Sequence, residues 1–387
     1  MISGLLQTID ADALCSRARS LRNGKQCTVQ LPTADEACSN CDIVGGCNYH
    51  ASIVFEDGVT WLARFRLPNH NAPQLRERNF DRRSEYATYR FLAATGVPVP
   101  AVYDVADDED PTNPIGAGYL LLDKLPGKPA TWYAATQAQQ EHFSRQIADI
   151  FISLEKFPFN KLGRLQLAAE TGSPEPGPAF FDYDGNGNII PLGPFTRSED
   201  YYTALIEQRI ASVLSGEFAA SAPLDMYLVC KTLLDHLPVD DNGPYYLRHL
   251  DSRDANFLVD GDYNITGIID WELAVLAPKN SAFQAPLLMY NLGDIYRDCI
   301  STASSDEQRL ACILREEKGR PDLAACAAQK VYFRLEQCIE TDPHDANFAK
   351  IFEGWWKLSM GMETFEWDAW RKDALDRYGD AGLDSVG

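Results

Sequence analysis

The stretch Tyr245–Ala274, YYLRHLDSRDANFLVDGDYNITGIIDWELA, carries four polar residues whose spacing is informative. His249, Asp251 and Asn256 fit the pattern H-x-D-x-x-x-x-N, and Asp270 follows a short apolar run typical of a buried strand. The stretch between Asn256 and Asp270 is long enough to form a β-hairpin. The spacing therefore predicts a loop and a hairpin that bring these side chains into one site.

These residue types suit the transfer of a phosphoryl group from a nucleotide to an alcohol. Asp251 would face the substrate hydroxyl, and Asn256 and Asp270 would supply oxygen ligands for Mg²⁺. Phosphoryl transfer of this kind depends more on accurate positioning of these groups than on covalent catalysis by the protein. The alternative is a surface hairpin with scattered Asp and Asn residues, which are common in turns.

The segment resembles the catalytic loop and metal-binding strand of the aminoglycoside phosphotransferase and choline kinase family. The ending I-D-W-E-x-A at 269–274 stands where protein kinases carry Asp-Phe-Gly. The sequence ITGIIDWELA is similar to the corresponding sequence of fungal-type members of this family. The resemblance covers most of residues 40–300. It implies ATP and Mg²⁺ as cofactors and an α+β, bilobal protein-kinase-like fold, with a small β-rich N-lobe and a larger helical C-lobe.

The chain of 387 residues has a formal net charge of −21. Such a surface repels nucleic acid and anionic membranes, so neither is an expected partner. It attracts cations, which makes a cationic small-molecule acceptor one option. The other option is that the acidic balance only keeps the protein soluble.

A cytoplasmic location is expected. No run approaches the roughly 20 apolar residues of a membrane span, and the N-terminus lacks a secretory signal pattern. The ten cysteines are then expected to be reduced thiols. A zinc site at Cys27, Cys38, Cys41 and Cys47 is a weaker alternative, because a second C-x-x-C pair is missing.

Local patterns predict a β-rich half followed by a helical half. In the first half they predict a helix at 9–22, a hairpin at 43–66, a loop at 69–80, a helix at 81–95, and strands at 101–105 and 118–123. In the second they predict helices at 143–154, 199–214, 223–237, 282–299, 306–318, 323–340 and 345–375. The lobes are expected at 1–123 and 124–387, with a hinge at 124–127.

The first hairpin is expected to cover the nucleotide phosphates. Gly45 and Gly46 permit close approach of backbone to an anion, and Asn48 follows them, although most Gly-Gly pairs are plain hairpin turns. The strand W-L-A-R resembles the V-A-x-K of kinases and places Arg64 where they carry lysine. Glu85 is its expected ion-pair partner.

The remaining assignments carry alternatives. Arg66 is the rival of Arg64, and each charged residue in this half has the alternative of a solvated surface charge. Leu122 and Asp123, at the end of the strand before the hinge, are expected to contact the nucleotide. His249 is expected to brace its loop rather than transfer protons. Arg253 would neutralise the transferring phosphate, and Asp254 is a candidate for facing the substrate.

The segment 182–189 imitates a calcium loop. The bidentate glutamate that such a loop requires is replaced by Gly193, so a hairpin turn is the preferred interpretation. This segment is expected to border the substrate pocket.

Together these features indicate an ATP-dependent kinase that phosphorylates a hydroxyl, or less favourably an amine, on a metabolite or aminoglycoside-like acceptor. One alternative is a catalytically silent kinase fold that binds nucleotide or a partner. Another is a protein-kinase-like enzyme, although residues 271–286 lack a recognisable activation segment ending in Ala-Pro-Glu.

Overall fold

The computed structural model describes residues 2–33, 36, 47–68, 73–184, 186–216, 222–238, 243–296, 302–341, 345 and 347–379. Within them an antiparallel sheet near the N-terminus is followed by a longer, mainly helical part. This arrangement confirms the predicted α+β, bilobal plan. None of the described helices combines the length and apolar character needed to cross a membrane.

The N-terminal sheet is built from β1 (Cys27–Gln30), β2 (Asn48–Phe55), β3 (Thr60–Arg66), β4 (Val102–Ala106) and β5 (Tyr119–Asp123). Their order in the sheet is β1-β2-β3-β5-β4. Trp61, Ala63 and Phe65 pack into a core beneath helices α1 (Ile2–Thr8) and α2 (Ala11–Leu21). Because successive side chains of a strand alternate, Arg64 and Arg66 lie on the opposite face.

Helix α3 (Leu75–Leu92) crosses behind this sheet and starts earlier than the sequence predicts. The predicted loop at 69–80 and helix at 81–95 were therefore wrong at this boundary. The buried face of α3 is partly charged: Asp81, for example, lies 2.6 Å from Arg164. Apolar spacing does not reveal a helix whose buried face pairs charges.

The helical part begins after a short strand β6 (Lys128–Pro129) with α4 (Gln137–Leu154), and two small hairpins follow. The hairpin strands are β7 (Leu165–Leu167), β8 (Pro174–Pro176), β9 (Phe180–Tyr183) and β10 (Ile189–Leu192). The helices before the predicted catalytic segment, the stretch Tyr245–Ala274, are α5 (Ser198–Leu214) and α6 (Pro223–Asp235). Those after it are α7 (Lys279–Ala282), α8 (Leu292–Tyr296), α9 (Ser305–Cys312), α10 (Pro321–Ala328), α11 (Val331–Glu340), α12 (Phe348–Met360) and α13 (Trp367–Tyr378).

Three predicted helices are interrupted. Pro286 lies between α7 and α8, and its ring and missing N–H oppose a continuous helix. Gln329 is extended, with φ −95° and ψ 153°, and separates α10 from α11. Gly361 ends α12 in the left-handed region at φ 63°, a common way for a helix to stop. The predictions corrected in this way are the helices at 282–299, 323–340 and 345–375.

The predicted catalytic segment and the strand that follows it fold as two nested strand pairs. β11 (Tyr245–Arg248) pairs antiparallel with β14 (Val275–Pro278). Inside that frame, β12 (Phe257–Val259) pairs with β13 (Ile265–Ile268) and, on its other edge, with β6. We call the β12–β13 pair, with the residues that directly flank it, the catalytic hairpin, after the role that the sequence predicts for it. The register sets Phe257 opposite Ile268, so the loop before β12 and the residues after β13 meet at one end of the hairpin.

Candidate active site

The loop between β11 and β12 sets Asp251 and Asn256 side by side. A single 3-10 turn, Asp254–Asn256, closes the loop. Asn256 is buried, and its Nδ2 donates to Asp251 O at 2.8 Å and to Asp251 Oδ2 at 3.0 Å. Both partners are acceptors, so the donor end of the amide must face them. Asn256 Oδ1 then has no hydrogen-bond donor among the described residues.

The two carboxylate oxygens of Asp251 have different surroundings. Oδ2 accepts from Asn256 Nδ2, from Arg253 Nε at 2.9 Å and from Arg253 Nη2 at 2.7 Å. Within the described part of the chain, Oδ1 accepts no hydrogen bond, and the side chain is 39% exposed. One oxygen is therefore held in place while the other is available to a hydroxyl group.

His249 connects the loop to the end of β13. Its Nε2 lies 2.9 Å from Ile269 O, and its Nδ1 accepts from Asp251 N at 3.2 Å. Burial lowers the pKa of His249, which favours the neutral ring that this pattern of one donor and one acceptor requires. The ring also packs on Trp271, with centroids 4.6 Å apart. These contacts agree with a bracing role.

Asp270 leaves β13 directly beside the loop. Ile269 N donates to Asn256 O at 3.0 Å, which ties the strand end to the loop. Asp270 itself has φ 62°, an uncommon value for a residue other than glycine, and its N–H donates to Tyr89 Oη at 3.2 Å. The backbone thus fixes the position from which this carboxylate extends.

Asn256 Oδ1 and the Asp270 carboxylate fit a Mg²⁺ site. Mg²⁺ prefers oxygen ligands and is commonly held by one or two protein groups, with waters and substrate phosphates completing its shell. The described residues contain no cluster of three or more His, Cys, Asp and Glu side chains suited to a metal. A metal bound here would therefore depend on the nucleotide for further ligands.

Arg64 gathers three carboxylates around one guanidinium group. It is 8% exposed; its Nη1 pairs with Glu85 of α3, and its Nη2 lies 2.9 Å from Asp270 Oδ1 and 2.5 Å from Glu272 Oε2. We call these four residues the Arg64 cluster. The Arg64–Glu85 contact is the ion pair expected from the sequence, and the cluster joins the sheet to the catalytic hairpin.

The carboxylates of the Arg64 cluster differ in their proton affinity. Burial is the main cause that raises the pKa of Glu85, Arg64 lowers it, and the charges of Glu272 and Asp270 raise it again, so that together they bring it to about 7. Burial also opposes ionisation of Glu272, but Arg64 and Arg66 outweigh it and keep the pKa of Glu272 below its usual value. Of these two glutamates, Glu85 is therefore the one that takes up a proton more readily.

We expect Glu85 to make stability fall as pH rises from about 4.5 to about 7. The folded protein keeps the Glu85 proton up to about pH 7, whereas an unfolded glutamate loses it near pH 4.3. Glu85 therefore contributes its full stabilisation below the pKa of the unfolded glutamate and loses it as the pH rises through the raised pKa of the folded protein. Its size is on the order of 3–4 kcal/mol, at about 1.4 kcal/mol per pKa unit.

Urea unfolding across this pH range would measure the effect. Glu85→Gln keeps an acceptor for Arg64 but has no proton to release, so the difference between the two proteins should shrink below about pH 5. A constant difference from acid to neutral pH would contradict the raised pKa.

Glu272 is the cluster member that the sequence did not single out. Its Oε2 accepts from Asn48 Nδ2 at 3.1 Å as well as from Arg64, and its Oε1 pairs with Arg66. The available signal was its place in I-D-W-E, two residues after Asp270. Glu272 explains why Asn48, Arg64 and Arg66 lie together. Of the two arginines, Arg64 pairs with Glu85, whereas Arg66 pairs with Glu272.

The nucleotide contacts expected at Leu122 and Asp123 stay predictions. Leu122 is buried in the core, and Asp123 Oδ1 accepts from the Tyr103 hydroxyl at 2.6 Å. The Asp123 N–H donates to Ala101 O at 2.9 Å and is therefore already engaged. Gly45 and Gly46 lie outside the described residues.

The two metal alternatives find no support in the described residues. Cys38 and Cys41 lie outside them, and Cys27 has the thiol of Cys15 as a neighbour, with the sulfurs 3.2 Å apart. The calcium-like segment forms the β9–β10 hairpin, as the sequence predicts. Its Asp184 accepts from the backbone N–H groups of Asn186 and Asn188, which is the geometry of a turn.

Comparison with solved structures finds proteins that cover most of this chain at low sequence identity. A candidate aminoglycoside phosphotransferase from Ralstonia eutropha JMP134 is 15% identical, with a TM-score of 0.50 over 98% of this chain and 96% of that chain. The macrolide 2′-phosphotransferase from Brachybacterium faecium is 18% identical, with a TM-score of 0.45 over 94% and 96%. A candidate fructosamine-3-kinase from Thermobifida fusca is 18% identical, with a TM-score of 0.48 over 91% and 100%.

At 15% identity the first similarity shows a shared fold and no more. A comparison with curated protein sequences gives no match. The family model described as the phosphotransferase enzyme family, APH, matches residues 53–278, which is more than half of the chain and includes β3, α3 and the catalytic hairpin. The chain therefore belongs to the APH phosphotransferase enzyme family.

Proposed function

We propose that this phosphotransferase is an ATP-dependent kinase that transfers the γ-phosphate of ATP to a hydroxyl group of a small molecule, with an amine as the less favoured acceptor. The observation that carries the proposal is the asymmetric Asp251 carboxylate, with one oxygen held by three N–H groups and the other available. Two residues with oxygens suited to Mg²⁺, Asn256 and Asp270, flank the β12–β13 hairpin on either side.

In this proposal Asp251 Oδ1 accepts a hydrogen bond from the acceptor hydroxyl and so orients its oxygen towards the γ-phosphorus. As the new O–P bond forms and the bond to the β-phosphate oxygen breaks, Asp251 takes the hydroxyl proton and ADP leaves. Arg253 fixes Oδ2 through two of its N–H groups. Its remaining donors are available to the transferring phosphate.

Asn256 and Asp270 would hold Mg²⁺ through Oδ1 and the carboxylate. Mg²⁺, when bound, neutralises phosphate charge and fixes the phosphates in position. Arg64 would steady the phosphates that are not transferred. For that it must exchange part of its contact with Asp270 or Glu272 for phosphate oxygens, while Glu85 retains the other end of the guanidinium.

We expect Asp270→Ala to weaken Mg-ATP binding and turnover together, because it removes a charged oxygen ligand from a hard cation. Asn256→Ala should do the same more mildly, since it removes a neutral ligand. Titration of Mg²⁺ at fixed ATP would show both as a higher Mg²⁺ requirement. Unchanged metal dependence in both variants would reject this pair of ligands.

The acceptor is proposed to be a small molecule. The net charge of −21 favours a cationic one, provided that the substrate pocket shares this charge. We also propose that the nucleotide binds between residues 1–123 and 124–387, and that the protein acts in the cytoplasm.

Nucleotide-dependent transfer to pools of hydroxylated and aminated small molecules would test the function. Thermal unfolding with and without Mg-ATP comes first, followed by transfer of labelled phosphate from ATP to each pool. Label in a small-molecule product supports the proposal. A thermal shift without transfer to any pool would favour a silent nucleotide-binding protein, the alternative suggested by arginine in the lysine position at Arg64.

A further inference from the structure

Two thiols face each other between helix α2 and strand β1. The Sγ atoms of Cys15 and Cys27 lie 3.2 Å apart and are not bonded to each other. Each sulfur also contacts the backbone of the other residue: Cys15 Sγ lies 3.1 Å from Cys27 O, and Cys27 Sγ lies 3.6 Å from Cys15 O. The two residues are therefore close along the backbone as well as at the ends of their side chains. A disulfide bond of about 2.05 Å requires the sulfurs to approach by roughly 1 Å more.

A tight turn between α2 and β1 sets the two thiols opposite each other. Asn23 and Gly24 both have left-handed backbone, with φ 53° and 82°, and Gly24 N donates to Arg19 O at 2.8 Å, so the chain reverses within a few residues. Arg19, one helical turn after Cys15, places its Nη2 3.5 Å from Cys27 O. The backbone thus presents the pair without any rearrangement of the elements that carry it.

The two thiols differ in their access to solvent and in their reactivity. Cys15 is half-buried, whereas Cys27 is 6% exposed and belongs to the core beneath α2. Burial and the hydrogen bond with Cys15 raise the pKa of Cys27 to about 11, so little of its reactive thiolate is present near neutral pH. A reagent from solvent therefore meets Cys15 first, and Cys27 is placed to react with whatever Cys15 has bound.

Strand β1 would be held more firmly by a bond between these thiols. It has four residues, and in the described part of the chain it pairs only with β2. A disulfide would close the loop 15–27 and fix this edge strand to α2. Closing such a loop restricts the unfolded chain and so favours the folded one.

We propose that Cys15 and Cys27 are a redox-sensitive pair that forms a reversible disulfide when the surrounding thiol pool is oxidised, with Cys15 reacting first. In a reducing compartment such disulfides are transient and report the redox state. The proposal does not depend on kinase activity.

The oxidant is a small disulfide such as oxidised glutathione. The Cys15 thiolate attacks one of its sulfurs, the S–S bond breaks, and one glutathione thiolate leaves. The Cys27 thiolate then attacks Cys15 Sγ in this mixed disulfide, and the second glutathione leaves. Two protein thiols are oxidised to one disulfide, one small disulfide is reduced to two thiols, and the two protons end on glutathione.

Disulfide mapping of the full, folded chain is the direct test. The protein is incubated with oxidised glutathione, its remaining thiols are alkylated, and it is cut with trypsin and a glutamate-specific protease. Cleavage after Arg17, Lys25 and Glu36 yields the peptides 1–17 and 26–36, each with a single cysteine. Mass spectrometry should find these two peptides joined as the main disulfide, and reduction should separate them.

Two single variants test the order of reaction. In Cys27→Ser, Cys15 should keep one glutathione as a mixed disulfide, because the second thiol is missing. In Cys15→Ser, Cys27 should stay unmodified, because it is buried. Cys312→Ser removes an exposed cysteine of α9 and is the matched control, which should form the same cross-link as the wild type.

Thermal unfolding gives a second readout that needs no peptide mapping. Oxidation should raise the Tm of the wild type and of Cys312→Ser by a few degrees, because the cross-link restricts the unfolded chain. It should leave the Tm of Cys15→Ser and Cys27→Ser unchanged.

Four results would overturn the proposal. The first is peptides 1–17 and 26–36 that stay unjoined in the oxidised wild type. The second is Cys15 or Cys27 joined mainly to another cysteine. The third is a cross-link that forms only in urea, which would show that the folded chain does not present the pair. The last is glutathione on Cys27 in Cys15→Ser as readily as on Cys15 in Cys27→Ser, which would contradict the order of reaction.

Discussion

Replacement of Asp251 by Asn is expected to reduce phosphoryl transfer by at least ~10²-fold, the scale of a lost general base. The amide keeps the size of the carboxylate and one acceptor oxygen, so the contacts from Arg253 and Asn256 at that oxygen can remain. The other position becomes an NH₂ group, which cannot take the hydroxyl proton. Steady-state transfer and nucleotide affinity, measured on the same preparation, would show lost turnover with binding retained.

Asp262→Asn is the matched control for this experiment. Asp262 is an exposed aspartate in the turn between β12 and β13, so the control makes the same chemical change within the same hairpin. It should transfer at the wild-type rate. Wild-type turnover by the Asp251 variant would show that the catalytic loop has been wrongly assigned.

Replacement of Arg64 by Ala is expected to damage both stability and ATP use. The variant leaves Glu85, Asp270 and Glu272 close together without the guanidinium that they share. Removing one partner of a buried ionic network costs about 3–5 kcal/mol. Glu85, with a pKa already raised to about 7, can relieve part of this by taking up a proton. The loss in unfolding free energy should therefore be smaller in mild acid than above neutral pH.

Kinetics and a double variant would separate the two effects of the Arg64 change. The KM for ATP should rise and kcat should fall, with Arg64→Lys recovering part of both. Arg66→Ala should do less, because Glu272 keeps Arg64 and Asn48. Adding Glu85→Gln to Arg64→Ala should restore stability without restoring the KM. An unchanged KM in Arg64→Ala would reject its assignment to the phosphates.

The residues that carry the proposed chemistry could be found from the sequence because they are close in the chain. His249, Asp251, Asn256 and Asp270 belong to one loop and one hairpin, and local patterns predict both. Glu272 gave only a weak signal, since its partners Asn48 and Arg64 lie 224 and 208 residues away. Contacts at such separations are set by the tertiary fold.

The predicted helix boundaries are limited in the same way, because local sequence patterns do not show distant contacts or backbone angles. Apolar spacing found α5 and α6 closely but missed the first turns of α3, whose buried face is partly charged and satisfied by distant partners. It also joined helices that Gln329 and Gly361 separate through backbone conformation. Neither a buried ion pair nor a local φ value changes the periodicity of hydrophobic residues.

The Arg64 cluster also has an order of assembly. Arg64 and Glu85 are 21 residues apart, so they can meet soon after both have left the ribosome. Asp270 and Glu272 follow on the order of ten seconds later at typical rates of synthesis. The early pair is electrically balanced, one cation against one anion. The arrival of the catalytic hairpin makes the cluster acidic, so the newly completed protein gains an attraction for cations at the place where Asp270 is proposed to hold one.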